Sequence, residues 1–468
     1  MVAILLVFVL VPAAVVSAAP AAPPSVSCQS AIVIDAKTGN MLWGKNETDK
    51  IWPASTTKIM TCILAIESGK LDEEVTCGKE VLPFSNASSL FKGENGRRLA
   101  QNEKVKLLDL VYGMLLVSGN DAAAATAVFL GSSIEGFADM MNDKAKELGM
   151  DGTNFVTPHG TQNDNHYSTA ADMAKLAKYC MQNETFRKIV NTKEYTVPAT
   201  NKYNQPRKFI NTNKLLSNDP DDAQYNYDGT IGIKTGLTPM AKGCLIADAV
   251  KNNMDLIICI YNDGDAVSGM KRWGIAKTLF DYGFNNFVSV DITSKVSAAK
   301  IEPLDVGDGN KVEATPVFSS GDKQYCTVEK DKATELGSAT LTATPNWTRT
   351  EDFKKGDEIG TVEYKMGETV VATAALKAQA DFDKPVIATN EPPPSNSPAS
   401  PSDPGYTEAK NIKDTSVVAI VIVIVVLVAG VVMLVVLLMR RRKKNAIYNR
   451  NARRRRGRSD YYNYKKRF

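Results

Sequence analysis

Ser55-Thr56-Thr57-Lys58 places a hydroxyl and an amine three residues apart. At a helix start, residues at this spacing face the same way. A lysine kept neutral there can take the serine proton and leave a nucleophilic oxygen. The spacing recurs at Ser89, Ser268, Ser297 and Ser320, so context has to choose. Pro53-Ala54 precede Ser55, and the apolar run after it would bury Lys58, which favours this copy. Ser118-Gly119-Asn120 is the chain's single Ser-x-Asn; a hydroxyl and an amide in one loop suit proton relay and substrate hydrogen bonding. The same residues are also favoured helix caps. Lys234-Thr235-Gly236 offers a cation for a carboxylate and a glycine that lets another backbone come close. A second Lys-Thr-Gly, at Lys37, sits in a turn and reads as turn chemistry.

These residues need elements to hold them. Ala31 to Asp35 and Met41 to Trp43 read as a hairpin around Lys37-Thr38-Gly39-Asn40. Ile59, Ile63 and Ile66 mark a helix over Thr56 to Ile66. Leu107 to Val117 and Asp121 to Leu130 read as apolar helices broken at Ser118-Gly119-Asn120. Further helices are expected over Gly136 to Leu148, over Thr169 to Met181 with Thr169 as N-cap, and over Arg272 to Tyr282. Ile231 to Gly236, Gly243 to Val250 and Leu256 to Tyr261 read as strands. Strands at both ends with helices between, and no βαβ repetition, predict an α/β sandwich with an antiparallel sheet. After Phe287, short alternating runs separated by turns predict a small all-β domain.

Taken in order, Ser55-x-x-Lys58, Ser118-x-Asn120 and Lys234-Thr-Gly236 resemble the three-motif set of the active-site serine penicillin-recognising enzymes. The stretches Pro53 to Thr61, Pro158-His159-Gly160, His166-Tyr167-Ser168-Thr169-Ala170 and Gly232 to Thr238 are similar to the D-alanyl-D-alanine carboxypeptidases among the low-molecular-mass penicillin-binding proteins. The resemblance spans about Ala31 to Asn286, and the all-β domain matches by position alone. It implies Ser55 as nucleophile, Lys58 as base and Ser118 as proton relay. Asn120 would orient the acyl group, and Lys234 with Thr235 would bind the terminal carboxylate, with Gly236 letting the substrate backbone approach the strand edge. The backbone N–H groups of Ser55 and Leu237 would form the oxyanion hole. The implied partners are peptidoglycan stem peptides, with β-lactams as inhibitors. A D,D-endopeptidase would share all three motifs, and so would a catalytically silent wall-binding protein of this fold. A class A β-lactamase needs Glu-x-x-Leu-Asn between the second and third motifs; Glu135, Glu147, Glu184 and Glu194 lack that continuation.

His159 and His166 are the only histidines. Without a third ligand at suitable spacing they give no zinc site, and no cofactor is expected. Seven scattered cysteines with no CxxC read as mostly buried small hydrophobes, with one or two disulfides possible.

The ends set the address. Residues 2–18 are apolar and finish in Val16-Ser17-Ala18, the pattern of a cleaved signal peptide, though no Lys or Arg precedes the run. A Pro- and Ser-rich linker over 386–414 follows a folded body assigned to 26–286 and 287–385. Thr415 to Met439 is uncharged, and its 25 residues would reach roughly 37 Å as a helix, enough to cross a bilayer. Fourteen of the 56 basic residues fall in 440–468 with one acid, Asp460, leaving 42 bases against 51 acids elsewhere. The overall charge of +4 thus combines an acidic body with a basic tail. Bases beside a span mark the cytoplasmic side. The expectation is a single-pass cell-membrane protein with its catalytic body outside, its tail on the inner leaflet and no nucleic-acid partner.

Overall fold

The computed structural model describes residues 22–84, 98–307, 309–318, 323–349 and 351–383. The expected signal peptide, linker, span and tail lie outside these residues. Among the described residues no helix is long and apolar enough to cross a membrane.

The expected hairpin forms from β1 (Ser30–Asp35) and β2 (Met41–Lys45), with Val33 opposite Trp43. A 3-10 turn, Ala54–Thr57, leads straight into α1 (Lys58–Glu67). The pair β3 (Glu74–Thr76) and β4 (Lys104–Lys106) precedes α2 (Leu107–Leu116), α3 (Asn120–Gly131) and α4 (Ile134–Glu147). Next come α5 (Ala170–Met181), α6 (Glu184–Val190) and the pair β5 (Glu194–Val197) and β6 (Arg207–Ile210). Thr169 caps α5 as expected, its hydroxyl accepting from Asp172 N at 3.0 Å. The strands β7 (Thr230–Thr238), β8 (Lys242–Lys251) and β9 (Met254–Tyr261) and the helix α7 (Lys271–Asn286) complete this part.

The main sheet runs β2-β1-β9-β8-β7, with every pairing antiparallel. Its central strands are buried on both faces, so alternate side chains feed two cores. Ile32, Ile34, Ile246 and Ile257 join the cluster that contains α1 to α6; Ala31, Val33, Leu245 and Ile258 join the one built on α7. That is the sandwich the pattern predicts. Strand β7 ends the sheet, and its outer edge lies against the turn that carries Ser55.

A third core follows. It is built on β10 (Phe287–Asp291), β11 (Leu304–Gly307), β12 (Asn310–Val312), β13 (Ala314–Val317), β14 (Tyr325–Glu329), β15 (Thr342–Trp347), β16 (Glu358–Met366) and β17 (Thr369–Ala378). Strands β13-β17-β16-β15 form one sheet, and β10 pairs with β14. The all-β expectation needs a correction. Two helices, α8 (Thr293–Ala298) and α9 (Ala333–Ser338), are interleaved. Each is six residues long and buries one apolar side chain, Val296 or Leu336, too little for a helical period to register in sequence.

The strand domain is fastened to the first at the hairpin turn. Thr327 Oγ1 donates to the buried Asp35 carboxylate at 2.6 Å, whose other oxygen accepts from Lys37 N at 2.8 Å and Thr38 N at 2.9 Å. Lys37 Nζ lies 4.6 Å from the centre of the Tyr325 ring. The Lys37 triplet is therefore turn chemistry, as expected, with an added part in joining two domains. All seven cysteines are buried and unpaired.

Candidate active site

Ala54 has φ +49° and Ser118 has φ +65°, in the left-handed region that side chains disfavour. Both residues sit in turns that deliver functional side chains to one place. The 3-10 turn sets Ser55 half-exposed, and the first turn of α1 points Lys58 inward with no exposure. The break between α2 and α3 makes Gly119 the N-cap and Asn120 the first helical residue.

Lys58 Nζ has three neighbours: Ser55 Oγ at 3.0 Å, Asn120 Oδ1 at 2.7 Å and the carbonyl of His159 at 2.9 Å. Burial, and then the charge of Lys234, hold its pKa well below the ordinary lysine value. A neutral amine has two N–H groups and one lone pair. Asn120 Oδ1 and the His159 carbonyl can only accept, so they take both hydrogens. The lone pair is left facing the Ser55 hydroxyl. This orientation is what a base needs.

Lys234 is also fully buried, with its pKa brought down to about 7 by burial. Its Nζ donates to the Thr235 carbonyl at 2.8 Å. Thr235 Oγ1 lies 3.0 Å from Thr212 Oγ1, and Arg272 Nη1 donates to the Gly236 carbonyl at 2.8 Å. A Cβ on Gly236 would stand 3.2 Å from Ala54 Cβ and 3.3 Å from Ser55 N. The glycine therefore lets β7 close against the turn that carries Ser55, a use beyond the one expected from the sequence. Leu237 follows at the exposed lip, 40% accessible.

The structure thus brings Ser55 and Asn120 into direct contact with Lys58 and sets the β7 residues beside them, with Ser118 at the neighbouring helix break. Sequence reading missed the groups that brace them. Arg272 had no local signal. The His159 acceptor is a backbone atom and leaves no side-chain signature. Pro158-His159-Gly160 and His166 stood out only as wording. His166 Nδ1 accepts from Val156 N at 2.9 Å and Thr157 N at 3.3 Å, and its Nε2 lies 2.9 Å from Thr57 Oγ1. Burial takes its pKa down to about 4 and that of His159 down to about 3. Among the described residues no cluster of His, Cys, Asp and Glu could hold a metal.

A family model described as D-alanyl-D-alanine carboxypeptidase matches residues 17–264. The chain belongs to this family. It is 30% identical over 359 residues to the D-alanyl-D-alanine carboxypeptidase DacF of Bacillus subtilis, covering 76% of this chain and 86% of that protein. Penicillin binding protein 5 from Haemophilus influenzae superposes with a TM-score of 0.58 at 28% identity, over 78% of this chain and all of that one. A Streptomyces DD-transpeptidase matches at TM-score 0.50 and 32% identity, over 57% of this chain and all of the other. Family membership makes the protein a serine-type hydrolase of the penicillin-binding class, with the antiparallel DD-peptidase and β-lactamase-like fold.

Proposed function

We propose that this chain removes the terminal D-alanine from peptidoglycan pentapeptide stems through an acyl-enzyme on Ser55. The observation that carries the mechanism is the Lys58 amine 3.0 Å from Ser55 Oγ, with two acceptors, Asn120 Oδ1 and the His159 carbonyl, to take its hydrogens. Lys58 takes the hydroxyl proton as the oxygen attacks the carbonyl between the two D-alanines. The backbone N–H groups of Ser55 and Leu237 stabilise the oxyanion. Lys58 hands that proton to Ser118, whose own hydroxyl proton passes to the leaving amine, so free D-alanine departs and Lys58 is neutral again. Asn120 keeps the acyl group aligned. Lys234 and Thr235 hold the terminal carboxylate, and Gly236 admits the substrate backbone to the strand edge, which fixes the scissile bond over Ser55. Water then attacks the ester, returns a proton to Ser55 and releases the shortened stem. A β-lactam mimics the dipeptide and stops at the acyl-enzyme.

The reading extends to the cellular arrangement. Residues 1–18 act as a signal peptide, 26–286 and 287–385 form the outer body, and 386–414 serve as a linker. Thr415 to Met439 crosses the cell membrane, and the basic 440–468 stays in the cytoplasm. The uncharged run and the adjoining arginines support this arrangement.

The test is a soluble 26–385 protein incubated with a pentapeptide stem, with free D-alanine measured. Release of one D-alanine per stem supports the reading. Cleavage of cross-linked dimers with no release from monomeric stems would replace it with a D,D-endopeptidase. The full-length chain and one ending at residue 414 should partition to membrane and medium respectively. Membrane retention of the shortened chain would place an anchor elsewhere.

A further inference from the structure

We propose that His166 is a positioning residue for acyl transfer, holding the acceptor that orients Lys58. The inference rests on Lys58 being the base. Two backbone N–H groups, of Val156 and Thr157, point at His166 Nδ1. That nitrogen is an acceptor, so the ring proton lies on Nε2, which donates to Thr57 Oγ1. The ring is 2% exposed. It joins two pieces of chain that are distant in sequence. One is the segment from Val156 to Gly160, whose His159 carbonyl takes one hydrogen of the Lys58 amine. The other is the turn in which Thr57 stands between Ser55 and Lys58.

The segment has little room to sit elsewhere. Gly160 N donates to Thr157 Oγ1 at 3.1 Å, which folds the segment back on itself. Gly160 has φ +78°, and a Cβ there would come within 1.8 Å of the Ala54 carbonyl oxygen and 2.6 Å of Thr57 Oγ1. His166 itself is fixed from behind. Its N donates to the Asn163 carbonyl at 3.0 Å, and the next two residues bridge to Asn154 and Ile51. The imidazole is thus a rigid spacer between the amine's acceptor and the nucleophile's turn. If the spacer is lost, the His159 carbonyl is free to shift. The amine can then rotate its lone pair off Ser55 with the fold intact.

The experiment follows the covalent labelling of full-length protein by a fluorescent penicillin. The limiting first-order acylation rate, the dissociation constant before acylation and the final labelled fraction are fitted separately. A group that merely supports the fold changes the labelled fraction. A positioning group changes the rate constant of the molecules that do label. His166→Phe fills the space without bonding and should lower the limiting rate ten- to a hundredfold, with the dissociation constant within threefold. His166→Gln can accept from Val156 N and donate to Thr57, and should recover most of the rate. Wild-type rates for His166→Phe overturn the proposal, whatever the labelled fraction. Equal rates for the Phe and Gln variants also overturn it. Lys58→Gln is the control for the underlying reading. If it labels at the wild-type rate, the base assignment fails. If it is inert while His166→Phe is normal, only the role of His166 fails.

Discussion

Arg272 Nη1 donates to the carbonyl oxygen of Gly236 at 2.8 Å, tying α7 on one face of the sheet to the edge strand that borders the site. Asp263 holds the same arginine by its backbone, accepting from Arg272 N at 3.0 Å and from Gly243 N at 3.0 Å. The guanidinium is buried, so its bond to Gly236 is charge-assisted and poorly replaced by water. Losing such a bond is worth about 1.5–3 kcal/mol, or roughly ten- to a hundredfold. Arg272→Met should lower kcat/KM for a pentapeptide stem by that factor with the helix still packed. A value within twofold of wild type would mean that β7 keeps its place through its pairing with β8 alone.

Under the proposed roles, the two buried lysines give the activity opposite pH limbs. Lys58 works as the neutral amine, so activity rises as pH climbs through its lowered pKa. Lys234 grips a carboxylate as the cation, so activity falls as pH climbs through about 7. A plot of kcat/KM against pH for the free enzyme should be a bell. Lys234→Arg keeps its charge and should lose the falling limb. Lys234→Gln should weaken carboxylate substrates strongly. It also removes a positive charge near Lys58, so the rising limb should move to higher pH. An unmoved rising limb would show that Lys234 does not act on Lys58.

Ser55 and Ser268 share the Ser-x-x-Lys spacing. Only the first has its lysine at the hydroxyl. Ser268 Oγ is committed to the Asp265 carboxylate in an exposed turn. Ser55→Ala should abolish covalent penicillin labelling, and Ser268→Ala should leave it unchanged. Mass spectrometry of the labelled peptide decides the case, and a label on any peptide other than that of Ser55 would remove the nucleophile assignment.

Asp248 carries a stability cost that pH should expose. Neither of its carboxylate oxygens has a hydrogen-bond donor among the described residues. Asp255, paired to Arg187 at 3.3 Å, stands beside it. Burial first, then the charge of Asp255, raises the Asp248 pKa well above the ordinary value. The folded form therefore holds its proton where the unfolded chain has lost it. Stability is fully present below the unfolded value of about 3.9 and falls as pH rises toward the folded one. Asp248→Asn supplies an N–H to its neighbour and has no charge to bury. Its melting temperature should exceed wild type at pH 8, by roughly 2–4 °C for each kcal/mol gained. The gap should close near pH 4. A gap that widens on acidification would reverse the assignment.

Much of the site was legible because its side chains sit at short, fixed spacings. Ser55 and Lys58 lie one turn apart on a helix whose apolar period is plain, and Ser118-Gly119-Asn120 interrupts two apolar runs. The two Lys-Thr-Gly triplets were separable by their surroundings, a turn for Lys37 and a long apolar strand for Lys234. What could not be read was carried by backbone atoms and by distant partners. The His159 carbonyl has no residue signature, and Arg272 acts on a strand 36 residues before it. In the fold, β3 and β4 are three residues each, too short for alternation to show. The helices α8 and α9 went unread within the expected all-β domain because a single buried residue has no period.

The buried cysteines turn the folded state into its own protection. A thiol must meet solvent as a thiolate to react, and burial denies it both. Burial pushes the Cys244 thiol up to about 12 and raises those of Cys62 and Cys259 further. Oxidants can therefore reach these sulfurs only when the chain opens. Alkylation by an added reagent becomes a clock for that opening, with each sulfur timing its own neighbourhood. Cys326 would time the strand domain and Cys62 the helix that follows Ser55, so the order in which the seven are modified would map which part of the molecule opens first.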